Sequence, residues 1–292
     1  MSGCNRLLKR LAEKLWQDFT LRVVVATEIE FYLHDIGSKV APEQAIAKIQ
    51  DACNAAGLTV ASAEAERGPD QFEVAFLPSD NVAQMVADTD CFKALMSETF
   101  GAAADFSAKP LSDKPGSGLH VHVHLEDEQG HNVFFRGENE AFSPLLLYAI
   151  GGLLEFMNPS MVFFAPTEAS YSRITAVTPL QGMQRSKGDY NNCPTTVSWG
   201  TNNRSCAIRL PTKPMLNKHL EQRVAGSDAD MGKVVAAILA GVHYGITEKC
   251  NPGQPIYGDA SLAQYALPAL AKTLDEAKRY AAEFTPLKEY LL

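Results

Sequence analysis

Positive charge is in short supply in this 292-residue sequence. Its 26 Lys and Arg residues are outnumbered by 34 Asp and Glu residues, which leaves a formal net charge of -8. Proteins that bind nucleic acid gain affinity from a basic surface, so this charge argues against a nucleic-acid partner. It does not exclude ATP as a ligand, because magnesium can neutralise phosphate locally.

Long apolar runs and paired cysteines are missing as well. No run of eighteen apolar residues occurs, and the N-terminus lacks the continuous apolar stretch of a signal peptide. The six cysteines are scattered without C-x-x-C spacing, which argues against a disulfide framework and a zinc knuckle. Because internal repeats and low-complexity linkers are also lacking, we expect one compact domain over residues 1–292. A cytoplasmic location without a membrane partner fits these absences.

What the sequence does contain is an alternation of histidine and valine that follows a Gly-Ser-Gly approach, within residues 116–124. In an extended strand the period of two places the imidazoles on one face and the valines on the other. We therefore predict a half-buried strand with one face suited to metal or phosphate chemistry. A chance cluster of surface histidines is the alternative. The three imidazoles belong to His120, His122 and His124.

Carboxylates recur at strand and turn positions. Glu28 and Glu30 share a face of a predicted strand over Leu21 to Leu33, and neighbouring carboxylates repel each other unless a cation lies between them. A Gly-Pro turn separates Glu66 from Glu73 and can bring both carboxylates to one site. Solvation at a sheet edge is the alternative explanation for the strand pair.

Helical spacing of apolar residues indicates several helices. It predicts an opening helix from about Arg6 to Trp16, and a helix from Asn81 to Phe100 that ends at Gly101. A later helix from about Asp228 to Ile246 should begin with Ser227 or Asp228 as its N-cap. The C-terminal part, from Ser261 to Leu292, is predicted to be helical apart from a break near Pro286.

Taken in order, these segments resemble the catalytic domain of the glutamine synthetase family. Six motifs of that family are matched across nearly the whole chain. Residues Trp199-Gly200 and Val224-Ala225-Gly226 look more like the γ-glutamylamine ligase branch than like glutamine synthetase itself. The matched segments are Thr27–Phe31 (E-x-E), Glu66–Glu73, Lys109-Pro110 with Gly116–His122, Asn158-Pro159 with Ser170–Arg173, Asn203–Pro211 and Glu221–Arg223.

The resemblance implies an α+β fold with a curved, mainly antiparallel sheet flanked by helices, and two divalent cations, Mg²⁺ or Mn²⁺, with ATP as co-substrate. By matched position, one metal would be held by Glu30, Glu66 and Glu73. The other would be held by Glu28, His120 and Glu221. Hard oxygen ligands of this kind suit either ion.

The resemblance also assigns the remaining site residues. Phosphoryl transfer requires charge neutralisation more than covalent help, and arginines provide it. The implied roles are catalysis for Arg204, Arg209 and Arg223, substrate binding for Arg173 and Gly116, and nucleotide binding for His122 and His124.

The sequence departs from the family pattern at several points. The family's N-terminal domain has no counterpart before the opening helix, so a second polypeptide would have to supply that half of the site. The expected protein partners are such a chain or, as a homo-oligomer, further copies of this one, and a standard dodecamer is not expected. Ile174 to Lys187 contains no acid to deprotonate ammonium. Asp70 replaces the family's glycine before Gln71, in the turn between Glu66 and Glu73, and His124 replaces a serine that meets the nucleotide.

Three hypotheses follow. The first is an ATP- and metal-dependent carboxylate-amine ligase that acts through an acyl phosphate on glutamate or a similar acid, with an amine other than ammonia. The second is a non-catalytic or regulatory homologue that binds metal, nucleotide or a partner protein. The third is a phosphotransferase on the same scaffold, which rests on fold analogy alone.

Overall fold

The computed structural model describes residues 3–134, 142–175, 193–211 and 218–291. Within these ranges the chain forms nine α-helices, joined by short 3-10 turns and irregular segments. The opening helix and the helix that ends before Gly101 lie where the sequence predicts them. The helices are α1 (Gly3–Phe19), α2 (Pro42–Ala55), α3 (Val82–Phe100), α4 (Pro144–Met157), α5 (Met161–Phe164), α6 (Ser172–Thr175), α7 (Met231–Glu248), α8 (Leu274–Glu283) and α9 (Thr285–Leu291).

Eight strands in the described ranges form one sheet. Its order is β2-β3-β1-β5-β8-β7-β6, and the short β4 pairs with β1 beside this path. Every named pairing is antiparallel except that of β6 with β7. The predicted α+β class with a mainly antiparallel sheet flanked by helices is confirmed. The strands are β1 (Arg22–Leu33), β2 (Val60–Ala65), β3 (Gln71–Phe76), β4 (Ala104–Asp105), β5 (Leu119–Glu126), β6 (Trp199–Thr201), β7 (Ile208–Leu210) and β8 (Leu220–Gln222).

The two faces of β1 and β5 differ in burial, as the alternation in the sequence predicts. Ile29 and Phe31 of β1 are fully buried, and so are Val121 and Val123 of β5. The Phe31 ring packs edge-on against Phe92 of α3, with 5.6 Å between the ring centroids. Because these residues fix one face of the sheet to the helices, the intervening carboxylates and imidazoles are presented on the other face.

Helix α7 is buried along most of its length and crosses α4 at close range. A Cβ atom at Gly152 of α4 would lie 2.1 Å from the carbonyl oxygen of Gly241, so only glycine permits this approach. The prediction of Ser227 or Asp228 as N-cap of α7 is wrong. Asp230 caps the helix by accepting a hydrogen bond from the Lys233 N–H at 3.0 Å.

The predicted helix over the C-terminal part begins later than expected. Residues before α8 form only a 3-10 turn at Ala263–Tyr265 and irregular backbone. A long-range contact explains the difference, because the backbone at Ala269 forms an antiparallel bridge with Thr196 and not the local hydrogen bonds of a helix. The break lies at Phe284, and Pro286 lies in the first turn of α9, where proline is tolerated.

Candidate active site

The register of the sheet places the predicted ligands side by side on its polar face. Residues directly opposite each other on neighbouring strands point to the same face, with Cβ atoms about 5 Å apart. The side-chain cluster therefore follows from strand pairing between segments far apart in the sequence. The opposed pairs are Glu28 with His120, Glu30 with Glu73, His122 with Glu221, and Arg209 with Glu221.

Glu30, Glu66 and Glu73 form the first group, each offering one oxygen within 4.8 Å of the others. Glu66 follows β2, and its N–H donates to the carbonyl of Gln71 at 2.8 Å, which closes the turn. Burial and four neighbouring glutamates raise the pKa of Glu73 to about 9. Burial and the charge of Glu30 also raise the pKa of Glu66. A divalent cation would relieve this repulsion, and carboxylate oxygens are its preferred ligands.

His120 lies at the centre of the second group. Its Nδ1 is 3.4 Å from Glu28 Oε2, 3.7 Å from Glu221 Oε1 and 4.0 Å from Glu73 Oε2. Glu28 belongs to two groups whose potential ligand atoms all lie within 4.8 Å of one another. One group is Glu28, Glu73 and His120, and the other is Glu28, His122 and Glu221. The predicted trio of Glu28, His120 and Glu221 is therefore divided between two groups that share Glu28, one completed by Glu73 and the other by His122.

Glu28 is ionised in this arrangement. Its burial alone would raise its pKa, but hydrogen bonds and charges from His120 and His122 outweigh burial and hold the pKa below its usual range. The same contact with Glu28 raises the pKa of His122 against the effect of burial. The ionised Glu28 carboxylate therefore offers the oxygen donors that a hard divalent cation prefers.

Two of the predicted catalytic arginines hold Glu221. Arg209 Nη1 donates to Glu221 Oε2 at 2.8 Å, and its Nη2 donates to Asn202 Oδ1 at 2.7 Å. Arg223 Nη1 donates to Glu221 Oε1. Burial would raise the pKa of Glu221, but Arg223, the two nearby histidines and Arg209 lower it to about 2. Both arginines therefore lie beside the glutamate cluster, and each donates at least one hydrogen bond to Glu221.

Arg204 is placed differently. Its side chain is exposed, whereas the preceding Asn203 is buried and donates to the carbonyls of Ile256 and Gly258 at 2.9 and 2.7 Å. The positive charge of Arg204 favours the ionised form of Glu66. Arg204 is therefore the solvent-facing arginine near the first group of glutamates.

Arg173 and Gly116 are in contact. The Arg173 guanidinium is buried and donates to the carbonyl of Val224 at 2.8 Å and that of Arg223 at 3.2 Å. A Cβ atom at Gly116 would lie 2.5 Å from the carbonyl oxygen of Ala108 and 2.9 Å from Arg173 Cγ. Their role in binding substrate stays a prediction.

The two predicted nucleotide ligands continue the polar face of β5. His122 Nε2 lies 3.2 Å from Glu28 Oε1, and the His122 ring packs edge-on against His219 with 5.0 Å between centroids. His124 Nε2 lies 3.1 Å from Glu126 Oε1. His124 is therefore oriented by a carboxylate two residues further along its own strand.

Sequence reasoning missed the groups that support Glu30. The Gly118 N–H donates to Glu30 Oε2 at 2.6 Å, and the Ser227 hydroxyl lies 2.6 Å from the Glu30 carbonyl oxygen and 2.7 Å from that of Gly118. No ligand-type spacing marks Ser227 in the sequence.

Asp70 has a backbone conformation that is unusual for a residue other than glycine. Its φ of 59° lies in the left-handed region that favours glycine. Its carboxylate Oδ1 accepts a hydrogen bond from the Gly37 N–H at 2.9 Å. The Asp70 carboxylate, which the family's glycine lacks, therefore forms its hydrogen bond with Gly37 and not with a residue of the glutamate cluster.

Two further observations concern the rest of the chain. The acid-free stretch 174–187 lies outside the described residues from position 176 onward. Across the described ranges, no helix combines the length and the apolar character needed to cross a membrane.

Comparison with known proteins places this site in a family context. The chain is 32% identical to gamma-glutamylputrescine synthetase PuuA of Escherichia coli K12, over 97% of the chain and 64% of that protein. It is 30% identical to glutamate–isopropylamine ligase of a Pseudomonas species, and 28% identical to gamma-glutamylethanolamide synthetase GlnA4 of Streptomyces coelicolor. These two alignments cover 76% and 77% of the chain, and 46% and 45% of the relatives. The chain therefore spans less than two thirds of the length of these relatives.

A solved structure described as the GmaS/ADP complex has the same fold. Its TM-score is 0.82 at 22% identity, covering 99% of this chain and 70% of that one. A family model described as glutamine synthetase, catalytic domain, matches residues 34–292. The chain belongs to the glutamine synthetase family, of which it carries the catalytic domain.

Proposed function

We propose that this protein is an ATP-dependent ligase that joins a carboxylate of glutamate, or of a similar acid, to a primary amine. The observation that carries the proposal is the cluster of glutamates and imidazoles on one face of the sheet, with Arg209 and Arg223 against it. Three relatives that match most of the chain are named as two gamma-glutamyl-amine or -amide synthetases and a glutamate–isopropylamine ligase. We further propose that residues 1–292 act as one catalytic domain.

The metal sites would use residues of both groups. Glu30, Glu66 and Glu73 would hold one divalent cation, and Glu28 with His120 and Glu221 would hold the other. When bound, such cations neutralise phosphate charge and orient the nucleotide. Mg²⁺ and Mn²⁺ both suit these oxygen-rich ligands.

The arginines would supply fixed positive charge for phosphoryl transfer. Arg209 and Arg223 are held by Glu221, so their positions are set before substrates arrive. Arg204 is exposed and can approach the nucleotide without first losing an ion pair in the described part of the chain. Arg173 and the Gly116 loop would contact the acid substrate.

The proposed chemistry has two steps. A carboxylate oxygen of the acid attacks the γ-phosphorus of ATP and forms an acyl phosphate, while ADP leaves. The amine nitrogen then attacks the acyl carbon, inorganic phosphate leaves with the former carboxylate oxygen, and the nitrogen loses a proton. Charge develops mainly on phosphate oxygens, which is the charge that arginines stabilise.

We propose an acceptor amine larger than ammonia. The names of the three relatives specify putrescine, isopropylamine and an ethanolamide, each of which implies a primary amine with a carbon substituent. The acid-free stretch 174–187 supports the same choice, since the resemblance places the ammonium-site glutamate there.

The test is ADP release by the purified protein with ATP, Mg²⁺ or Mn²⁺, L-glutamate and one amine at a time. Putrescine, ethanolamine, isopropylamine and ammonia form the panel, and mass spectrometry identifies the amide. We expect ADP and a γ-glutamyl amide in equal amounts with at least one of the three organic amines. Glu66→Gln should reduce the rate on the order of 100-fold or more, whereas Glu128→Gln, in an exposed turn, should not. Nucleotide binding without ADP release for any amine would instead support a non-catalytic homologue.

A further inference from the structure

Two loops meet beside the glutamate cluster. The metal turn comprises residues 66–71; it begins with Glu66, and Glu73 lies two residues after its end. The substrate loop comprises residues 113–118 and includes Gly116, against which Arg173 packs. In the proposed function, the first loop carries metal ligands and the second contacts the acid substrate.

The Gln71 side chain connects these two loops directly. Its Oε1 accepts a hydrogen bond from the Gly68 N–H of the metal turn at 2.9 Å. Its Nε2 donates to the Gly116 carbonyl of the substrate loop at 3.1 Å. Gln71 is 2% exposed, so water cannot readily replace either contact.

Tyr32 makes a second connection from the neighbouring strand. It lies directly opposite Gln71 in the β1–β3 register and is fully buried. Its hydroxyl donates to the Pro115 carbonyl of the substrate loop at 2.8 Å. The Tyr32 hydroxyl oxygen would lie 2.1 Å from a Cβ atom placed on Gly68, so the hydroxyl is in close contact with the metal turn.

A third contact extends the connection to a predicted ligand. The Gly118 N–H, at the end of the substrate loop, donates to the Glu30 carboxylate at 2.6 Å. A shift of the substrate loop would therefore displace Glu30 and the metal turn together. Closely packed and hydrogen-bonded groups transmit such shifts because they have little room to relax.

We propose that Tyr32 and Gln71 are positioning residues that couple binding of a divalent cation at the glutamate cluster to binding of the acid substrate. This inference rests on the proposed function. By linkage, the factor by which the cation tightens glutamate binding equals the factor by which glutamate tightens cation binding. Neither residue needs to contact either ligand.

The experiment measures Mn²⁺ binding by the loss of the free-ion electron paramagnetic resonance signal, with and without saturating L-glutamate and without ATP. The coupling factor is the ratio of the two dissociation constants. For the wild-type protein we expect a factor of about 5 or more. Tyr32→Phe and Gln71→Met should each lower it about twofold to threefold towards 1, because each variant loses one buried hydrogen bond between the two loops. The double variant should bring it to about 1. Each variant's factor is taken from its own pair of dissociation constants, so a change in Mn²⁺ affinity alone does not alter it.

Tyr290→Phe is the matched control, because it removes a tyrosine hydroxyl that meets His243 Nδ1 at 2.6 Å on the helical side of the fold. Its coupling factor should equal that of the wild type. A wild-type factor of 1, an unchanged factor in the double variant, or an equal loss in Tyr290→Phe would overturn the inference. If coupling is lacking while the wild-type protein forms the amide, the inference fails and the proposed function stands. If the protein binds neither Mn²⁺ nor glutamate, both fail.

Discussion

Replacing Glu73 with glutamine should stabilise the protein when divalent metal is absent. Its folded-state pKa of about 9 lies far above the ordinary value of 4.5, because of burial and neighbouring glutamates. Below pH 4 both folded and unfolded states are protonated, and this group has no effect on stability. As the pH rises, the unfolded state loses the proton first, so the free energy of unfolding falls until the folded state also ionises near pH 9. At pH 7 the cost is on the order of 3 kcal/mol.

Thermal unfolding in the presence of a chelator measures this effect. At pH 7 we expect the midpoint of Glu73→Gln to exceed that of the wild type by roughly 6–12 °C. The difference should vanish near pH 4, and Glu128→Gln, which removes an exposed carboxylate, should match the wild type at both pH values. Saturating Mn²⁺ should reverse the order, because only the wild type keeps the full ligand set. A lower midpoint for Glu73→Gln at pH 7 with chelator would refute the argument that the cluster repels itself.

Three further variants test the surroundings of the cluster by urea unfolding. Arg223→Met leaves buried Glu221 with Arg209 as its remaining arginine partner and should cost about 3–5 kcal/mol. A smaller loss in the double variant with Glu221→Gln would confirm the cause. Gly116→Ala forces a methyl group against Arg173 and should cost about 1–3 kcal/mol; no loss would contradict the close approach. Asp70→Ala keeps the left-handed backbone but loses its hydrogen bond and should cost about 1 kcal/mol, whereas Asp70→Gly should be nearly neutral.

Alternation in the sequence was a reliable guide to the strands that carry the site. His120 and Glu28 each occupy the polar face of a strand whose other face is fully buried, and this was predictable from a period of two. The register between β1 and β5 was not, because it depends on contacts between segments about ninety residues apart. The family resemblance supplied that information through motif order.

The errors arose where tertiary contacts override local signals. Ser227 has the residue type of an N-cap, but its hydroxyl is taken up by the carbonyls of Glu30 and Gly118, and Asp230 caps α7 instead. The helix predicted from Ser261 gives way to backbone that pairs with Thr196. Such contacts join distant parts of the chain, so no window of sequence reveals them.

Transfer of oxygen from substrate to phosphate tests the central claim most directly. The protein would be incubated with ATP, Mg²⁺, the amine that supports ADP release and L-glutamate labelled with ¹⁸O in its γ-carboxylate. Activation through an acyl phosphate predicts one ¹⁸O atom in each inorganic phosphate released, since the carboxylate oxygen bridges carbon and phosphorus before the amine attacks. Unlabelled phosphate released together with amide would contradict the account, because the carboxylate would then not have been phosphorylated.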